Sequence, residues 1–143
     1  MKPPFTAYRG AKPYLFASYA HRNIRDVFPI IRRLADARFR VWYDEGIEPG
    51  NEWPEEVGRA LTTCQLFLVF MSPEAMESRN VRNEINMAAA ENKAIMVVFL
   101  QTTELSEGMK LQIGTVQFLN RWELGETEFH AKLEAVLDPS LRV

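Results

Sequence analysis

Six consecutive apolar residues, Leu66-Phe67-Leu68-Val69-Phe70-Met71, constrain this chain more than any other stretch. Polar residues bound the run, which is rich in aromatic and branched side chains. It reads as a strand buried on both faces, of the kind found at the centre of an open α/β sheet. Ser72-Pro73 halts the run, because serine caps helix N-termini and proline suits the first helical position. A helical pattern follows, with Val81, Ile85, Ala88 and Ala89 on one stripe and Glu84 one turn in from Ser78. A carboxylate just past the C-terminal end of a central strand stands where such sheets place their chemistry.

The remainder alternates in the same way. Residues 14–18 form a first short apolar strand. Residues 21–37 carry a helical stripe of Ile24, Val27, Phe28, Ile31, Leu34 and Ala35. Pro29 falls inside that stripe and predicts either a kink or a true helix start near Asp26. Residues 40–43 form a second strand, followed by the loop DEGIEPGNEWP, whose glycines and prolines preclude regular structure. The loop is longer than the usual strand-to-helix turn, a feature of functional loops. A short helix is expected over 55–63, a fourth strand over 94–100 and a fifth over 116–119. Leu105, Met109 and Leu111 suit a short helix between the last two strands. A closing helix follows, with Phe129, Leu133, Val136 and Leu137 inward.

Residues 1–12 read as a loose lead-in, 13–138 as one domain and 139–143 as a tail. Strands alternating with helices predict a flavodoxin-like three-layer α/β fold: a five-stranded parallel sheet of order 2-1-3-4-5. The switch point then lies between strands one and three. Topology alone therefore brings the loop after Ser18 and the helix carrying Glu84 to one crevice.

Composition excludes several functions. At 143 residues the chain is the size of a single domain with a full core. Its 17 basic and 19 acidic residues give a net charge of -2 and no electrostatic case for nucleic acid. Arg32, Arg33, Arg38 and Arg40 form a local basic cluster that reads as a solvated helix face in preference to a phosphate-binding patch. Cys64 is the single cysteine, so an internal disulfide is impossible; it reads as a small apolar filler in a reducing compartment. Two histidines and one cysteine do not make a zinc site, and no metal is expected. No apolar run reaches the roughly 18 residues of a membrane span. The start, MKPPFTAYRGAKP, lacks the apolar core of a signal peptide, so a cytoplasmic location is expected. ASYAHRN, after the first strand, holds no glycine, so neither a phosphate loop nor a dinucleotide fingerprint fits, and a flavin carrier is disfavoured. A receiver domain fails too, since Ser18-Tyr19 and Ser72-Pro73 stand where its acidic residues belong.

FASYAHRN, VWYDEGIEPGNEWPEEV, FLVFMSPEAMESRNVRNEINMA and KAIMVVFL together resemble, in order and spacing, the successive boxes of a bacterial-type Toll/interleukin-1 receptor (TIR) domain. The resemblance runs over residues 14–137 and implies the sheet deduced above. It implies one of two functions: homotypic adaptor, or enzyme hydrolysing NAD+ to nicotinamide and ADP-ribose or a cyclic isomer, in defence or cell-death signalling. In enzymatic members a glutamate on the helix after the third strand is catalytic, and it maps onto Glu84. The resemblance implies no cofactor beyond NAD+ as substrate. It also implies self-association, with Asp44 to Trp53 matching the loop that lies over the site and contacts neighbouring domains. Asn80 stands where many enzymatic members carry a tryptophan.

One glutamate is chemically sufficient. Cleaving the nicotinamide–ribose bond passes through an oxocarbenium-like state, as in glycosidases. Nicotinamide leaves as a neutral base, so a carboxylate that holds ribose and stabilises positive charge is enough. On a helical wheel of about 100° per residue, Glu84 falls at the border of the apolar stripe, where burial raises a carboxyl pKa. The spacing of Glu77, Glu84 and Glu91 also fits one solvated column. Ser18, Tyr19 and Arg22 lie on the loop after the first strand. There Arg22 suits a pyrophosphate, or is a surface arginine; Tyr19 suits stacking on a ring, or packs the loop. Trp42 and Tyr43 read as core, Trp53 as a pocket lid or a helix anchor, and Ser78 as a cap that can also face ribose. With Asp44 and Asn80, these residues complete the substrate-binding set: Ser18, Tyr19, Arg22, Asp44, Trp53, Ser78 and Asn80.

Overall fold

Parallel pairing of five short strands builds the centre of the molecule. The structure, a computed structural model, describes residues 1–45 and 53–143, apart from the Trp53 side chain. The strands are β1 (Leu15–Ser18), β2 (Val41–Tyr43), β3 (Leu66–Met71), β4 (Ala94–Phe99) and β5 (Gln117–Asn120). Their order is β2-β1-β3-β4-β5 and every pairing is parallel, as the alternation predicted. β3 occupies the middle because each of its residues is apolar, and Phe67 to Met71 are fully buried. Phe16 stacks between Trp42 at 4.7 Å and Phe67 at 5.5 Å, locking β2, β1 and β3 side by side. The register sets Ala17 opposite Tyr43 and Ser18 opposite Val69. The C-terminal ends of β1 and β2 therefore open onto the same edge.

The helices are α1 (Ile24–Asp36), α2 (Trp53–Thr63), α3 (Pro73–Glu77), α4 (Arg79–Ala90), α5 (Glu107–Ile113) and α6 (Glu126–Val136). α2, α4 and α5 contact in series along one face of the sheet. Right-handed crossovers place α1 on the other, where Arg33 meets Glu126 of α6 at 3.9 Å. No helix among the described residues is long and apolar enough to cross a membrane.

Several expectations are corrected. α1 starts at Ile24, not near Asp26, and runs through Pro29. Val27, Phe28, Ile30, Ile31 and Leu34 are buried on either side of the proline, so packing carries the helix across the missing hydrogen bond. The single helix expected after β3 is two. Ser72 Oγ accepts from Ala75 N at 2.9 Å to cap α3, and Ser78 Oγ accepts from Val81 N at 3.2 Å to cap α4. Extended backbone at Ser78 separates them. Val136 is exposed, because α6 ends there and the chain turns before Leu137 is buried. On β5, an edge strand, Phe118 is 55% exposed; on α5, Leu111 is 88% exposed.

The lead-in is not loose. Phe5 packs on Tyr43 with ring centroids 4.8 Å apart, Ala7 is buried, and Tyr8 N donates to Val41 O at 2.9 Å. At the other end Leu141 is buried, Arg40 N donates to Leu141 O at 2.9 Å and Val143 N to Arg38 O at 2.8 Å. Both termini thus satisfy the outer edge of β2 and its approach, which would otherwise present unpaired strand groups to solvent. Arg40, read as part of a solvated helix face, instead donates to the carbonyls of Pro13 and Ser140 at 2.9 and 3.0 Å.

Candidate active site

Three chain segments converge at the switch point. Ser18 closes β1 and is 2% exposed; its Oγ donates to Glu84 Oε1 at 2.6 Å. Glu84 reaches this position because Val81, Ile85 and Ala88 of α4 are buried against the sheet, leaving it half-buried at the border of that stripe. Burial pushes the Glu84 carboxyl up, the Ser18 hydrogen bond opposes the rise, and the charge of Asp44 adds to it. The outcome is a carboxyl titrating at about 7 instead of 4.5, so at neutral pH it exists in both forms. That is the tuning acid–base and charge-stabilising groups require. No Lys or Arg pairs with Glu84 among the described residues.

Glu77, Glu84 and Glu91 do not form one solvated column. Glu77 lies exposed on α3 and Glu91 is exposed beyond α4.

Tyr19 is half-buried, with its ring edge-on to Phe28 at 5.9 Å and its hydroxyl donating to the main-chain carbonyl of Asp44. Burial, with Asp44 next in effect, pushes that hydroxyl up, so it stays a donor at any ordinary pH. Ser18, Tyr19, Asp44 and Glu84 thus form one group. Arg22 sits in the 3-10 turn His21–Asn23, exposed, 3.9 Å from Glu77. Ser78 is committed to its cap, and Asn80 is exposed in the first turn of α4. Residues 46–52 and the Trp53 side chain, to which the loop and lid readings were attached, lie outside the described residues.

The sequence reading missed a buried polar network beneath the turn. Ser72 Oγ donates to Asn23 Oδ1 at 2.6 Å, and Asn23 Nδ2 donates to Glu74 Oε1 at 2.9 Å. It pins the turn after β1 to the start of α3, and with it the loop that carries Tyr19. Nothing in the pattern marked Asn23, and Ser72 was legible only as a cap.

Cys64 is buried, and burial pushes its thiol up to about 11, so it packs as the filler expected. Among the described residues no group of three or more His, Cys, Asp or Glu is placed to hold a metal ion. A groove of about 700 Å³ between the lead-in and α2 is lined by Tyr8, Tyr14, Trp42 and Arg59 and by none of the converging residues. The candidate site therefore rests on the convergence at Glu84, not on cavity size.

A doubly wound parallel sheet of order β2-β1-β3-β4-β5 defines a flavodoxin-like α/β domain. Within that class, the family model described as TIR domain matches residues 15–137, and the chain belongs to this family. No curated protein matches the chain. Among solved structures, the TIR domain of the Toll-related receptor TRR-2 from Hydra magnipapillata is similar, with a TM-score of 0.63 at 14% identity. That alignment covers 85% of this chain and 95% of the other. The CMP N-glycosidase BcmB from Clostridium botulinum aligns with a TM-score of 0.55 at 17% identity, over 85% of this chain and 99% of its own. At these identities the two likenesses show the fold alone.

Proposed function

We propose that this TIR domain cleaves the N-glycosidic bond of NAD+, releasing nicotinamide and ADP-ribose or a cyclic isomer. One observation carries the reading: Glu84 is a half-buried carboxyl at the switch point, hydrogen-bonded by Ser18 and titrating at about 7. In hydrolysis the bond from C1′ to the nicotinamide nitrogen breaks, and its electron pair goes to the ring, neutralising it. Water supplies oxygen to C1′ and gives up a proton. Ionised Glu84 stabilises the positive charge on the sugar as the bond breaks. It also accepts the water proton, for which a pKa near neutrality is suited. Ser18 fixes Oε1 and leaves the second carboxylate oxygen for substrate or water. BcmB, of similar fold, is by its name a CMP N-glycosidase, which supports reading the bond cleaved as N-glycosidic.

A second reading, a non-catalytic module for homotypic association, is favoured by apolar side chains in the open: Leu111 is 88%, Phe118 55% and Trp122 49% exposed. The two are separated by incubating concentrated wild-type and Glu84→Gln protein with NAD+ and, in parallel, with CMP, resolving products by chromatography. Nicotinamide from wild type alone is the expected result. No free base from either substrate, with sedimentation showing wild type self-associated, overturns the enzymatic reading in favour of the adaptor. Cytosine without nicotinamide keeps the N-glycosidase and overturns NAD+ as its substrate.

A further inference from the structure

The segment along the outer edge of β2 reaches past that edge. Tyr43 accepts from the Phe5 amide at 3.3 Å and donates back to the Phe5 carbonyl, while Tyr8 N bonds Val41 O. Two further contacts lie beyond the strand. The Ala7 amide donates to the Glu45 carboxylate, and one guanidinium nitrogen of Arg9 lies 3.6 Å from the same carboxylate. The other terminal nitrogen of Arg9 bonds Glu56 in the first turn of α2. Arg9 therefore joins a residue just before 46–52 to one just after it.

Glu45 directly follows Asp44, whose carbonyl receives the Tyr19 hydroxyl, and Tyr19 directly follows Ser18, the partner of Glu84. Every link from Arg9 to Glu84 is thus an ion pair, a hydrogen bond or a peptide bond. β2 spans only Val41–Tyr43 and pairs with one strand, so its ladder anchors poorly what comes next. Glu45 and Glu56 would repel each other, and Arg9 supplies the positive charge between them. We infer that Arg9, with the segment 5–9, is a positioning residue for the Glu84 site, holding Asp44 and Tyr19 at its mouth. The matched family residues begin at 15, so Arg9 and the segment 5–9 lie outside the matched stretch, while their partners Glu45 and Glu56 lie within it. The inference rests on the reading of Glu84 as the reacting carboxylate.

The test uses the full chain with Arg9→Ala and Arg9→Lys. Arg9 and its partners are partly exposed, so a graded effect is expected. kcat for NAD+ should fall about three- to tenfold in Arg9→Ala with KM changed less than about twofold, and Arg9→Lys should recover part of it. Amide cross-peaks of Tyr19, Asp44 and Glu84 should shift in Arg9→Ala while those of β4 stay in place. Unchanged kcat beside an active wild type overturns the inference and leaves the Glu84 reading intact. If wild type cleaves nothing, the functional reading fails, and the cross-peaks alone decide whether the clasp positions the site. Unmoved peaks overturn it. Should Arg9→Ala not fold, Glu56→Gln removes one arm, and a folded Glu56→Gln protein with unaltered kcat and cross-peaks overturns it equally.

Discussion

Replacing Glu84 by glutamine is expected to stabilise the folded chain in mild alkali and to lose that advantage in acid. Glutamine is nearly isosteric, and its side-chain oxygen can still accept from Ser18, so the exchange removes the charge with little else. The folded carboxyl titrates at about 7 and the unfolded one at 4.5. A pKa raised in the folded state contributes stability that is fully present below 4.5 and is lost as pH rises through about 7. Each pH unit between the two values is worth about 1.4 kcal/mol, so ionised Glu84 costs the folded state roughly 3 kcal/mol above neutrality. At the usual unfolding entropy per residue this amounts to roughly 5 to 10 °C in Tm, with partial solvent contact favouring the lower end. Urea unfolding of wild type and Glu84→Gln across about pH 4.5 to 8 measures it, and the decisive quantity is the change in their difference with pH. A rise toward alkali with its midpoint displaced well above 4.5 is expected. A difference constant over that range would mean that Glu84 titrates as a solvated carboxyl, and the account of the site would fall with it.

Other outcomes follow from the same geometry. NAD+ cleavage that needs ionised Glu84 should lose kcat/KM as pH drops through about 7, about tenfold per unit well below it; a flat acid limb would exclude the carboxylate as the reacting form. Ser18→Ala removes the hydrogen bond that opposes the upward push on Glu84, so the acid limb of the rate profile should move to higher pH. A limb that stays or moves down counts against that bond. Ser72→Ala strips α3 of its cap and leaves the Asn23 carbonyl oxygen without its donor in a buried place. A loss of about 2 to 3 kcal/mol in urea unfolding is expected, and a loss under about 0.5 kcal/mol would show the network to be incidental.

What the sequence disclosed and what it withheld divide along a physical line. β3 was legible to the residue because burial on both faces demands an unbroken apolar run, and Leu66 to Met71 is one. β5, from Gln117 to Asn120, was placed one residue early, since an edge strand with an exposed Gln117 and Phe118 needs no such run. The split between α3 and α4 escaped because Val81, Ile85 and Ala88 lie on α4 alone and α3 buries only Ala75. The lead-in escaped for a related reason. Phe5, Ala7 and Tyr8 pack through three or four residues and main-chain bonds, too few to register as a period. Within the candidate site, the meeting of Glu84 and Ser18 was legible because topology delivers strand ends and helix starts to the switch point. The influence of Asp44, the bond from Tyr19 and the Asn23–Ser72–Glu74 network depend on side-chain reach between distant residues, which no spacing encodes.

Under the proposed function, the state of Glu84 also bears on which N-riboside would suit the site. Its polar partner is the neutral hydroxyl of Ser18, and among the described residues the charge that acts on it is that of another carboxylate, Asp44. An ionised carboxylate so placed complements positive charge, and nicotinamide riboside carries that charge in the ground state and passes it to the sugar as the bond breaks. A neutral base such as cytosine leaves well only when protonated, a task for the acid form of the same glutamate. One residue titrating at about 7 can in principle serve either bond, but with opposite slopes: cleavage of NAD+ should rise toward alkali and cleavage of a neutral N-riboside toward acid. The slope of the rate between about pH 6 and 8 therefore reports which protonation state the chain uses, independently of how fast either substrate turns over.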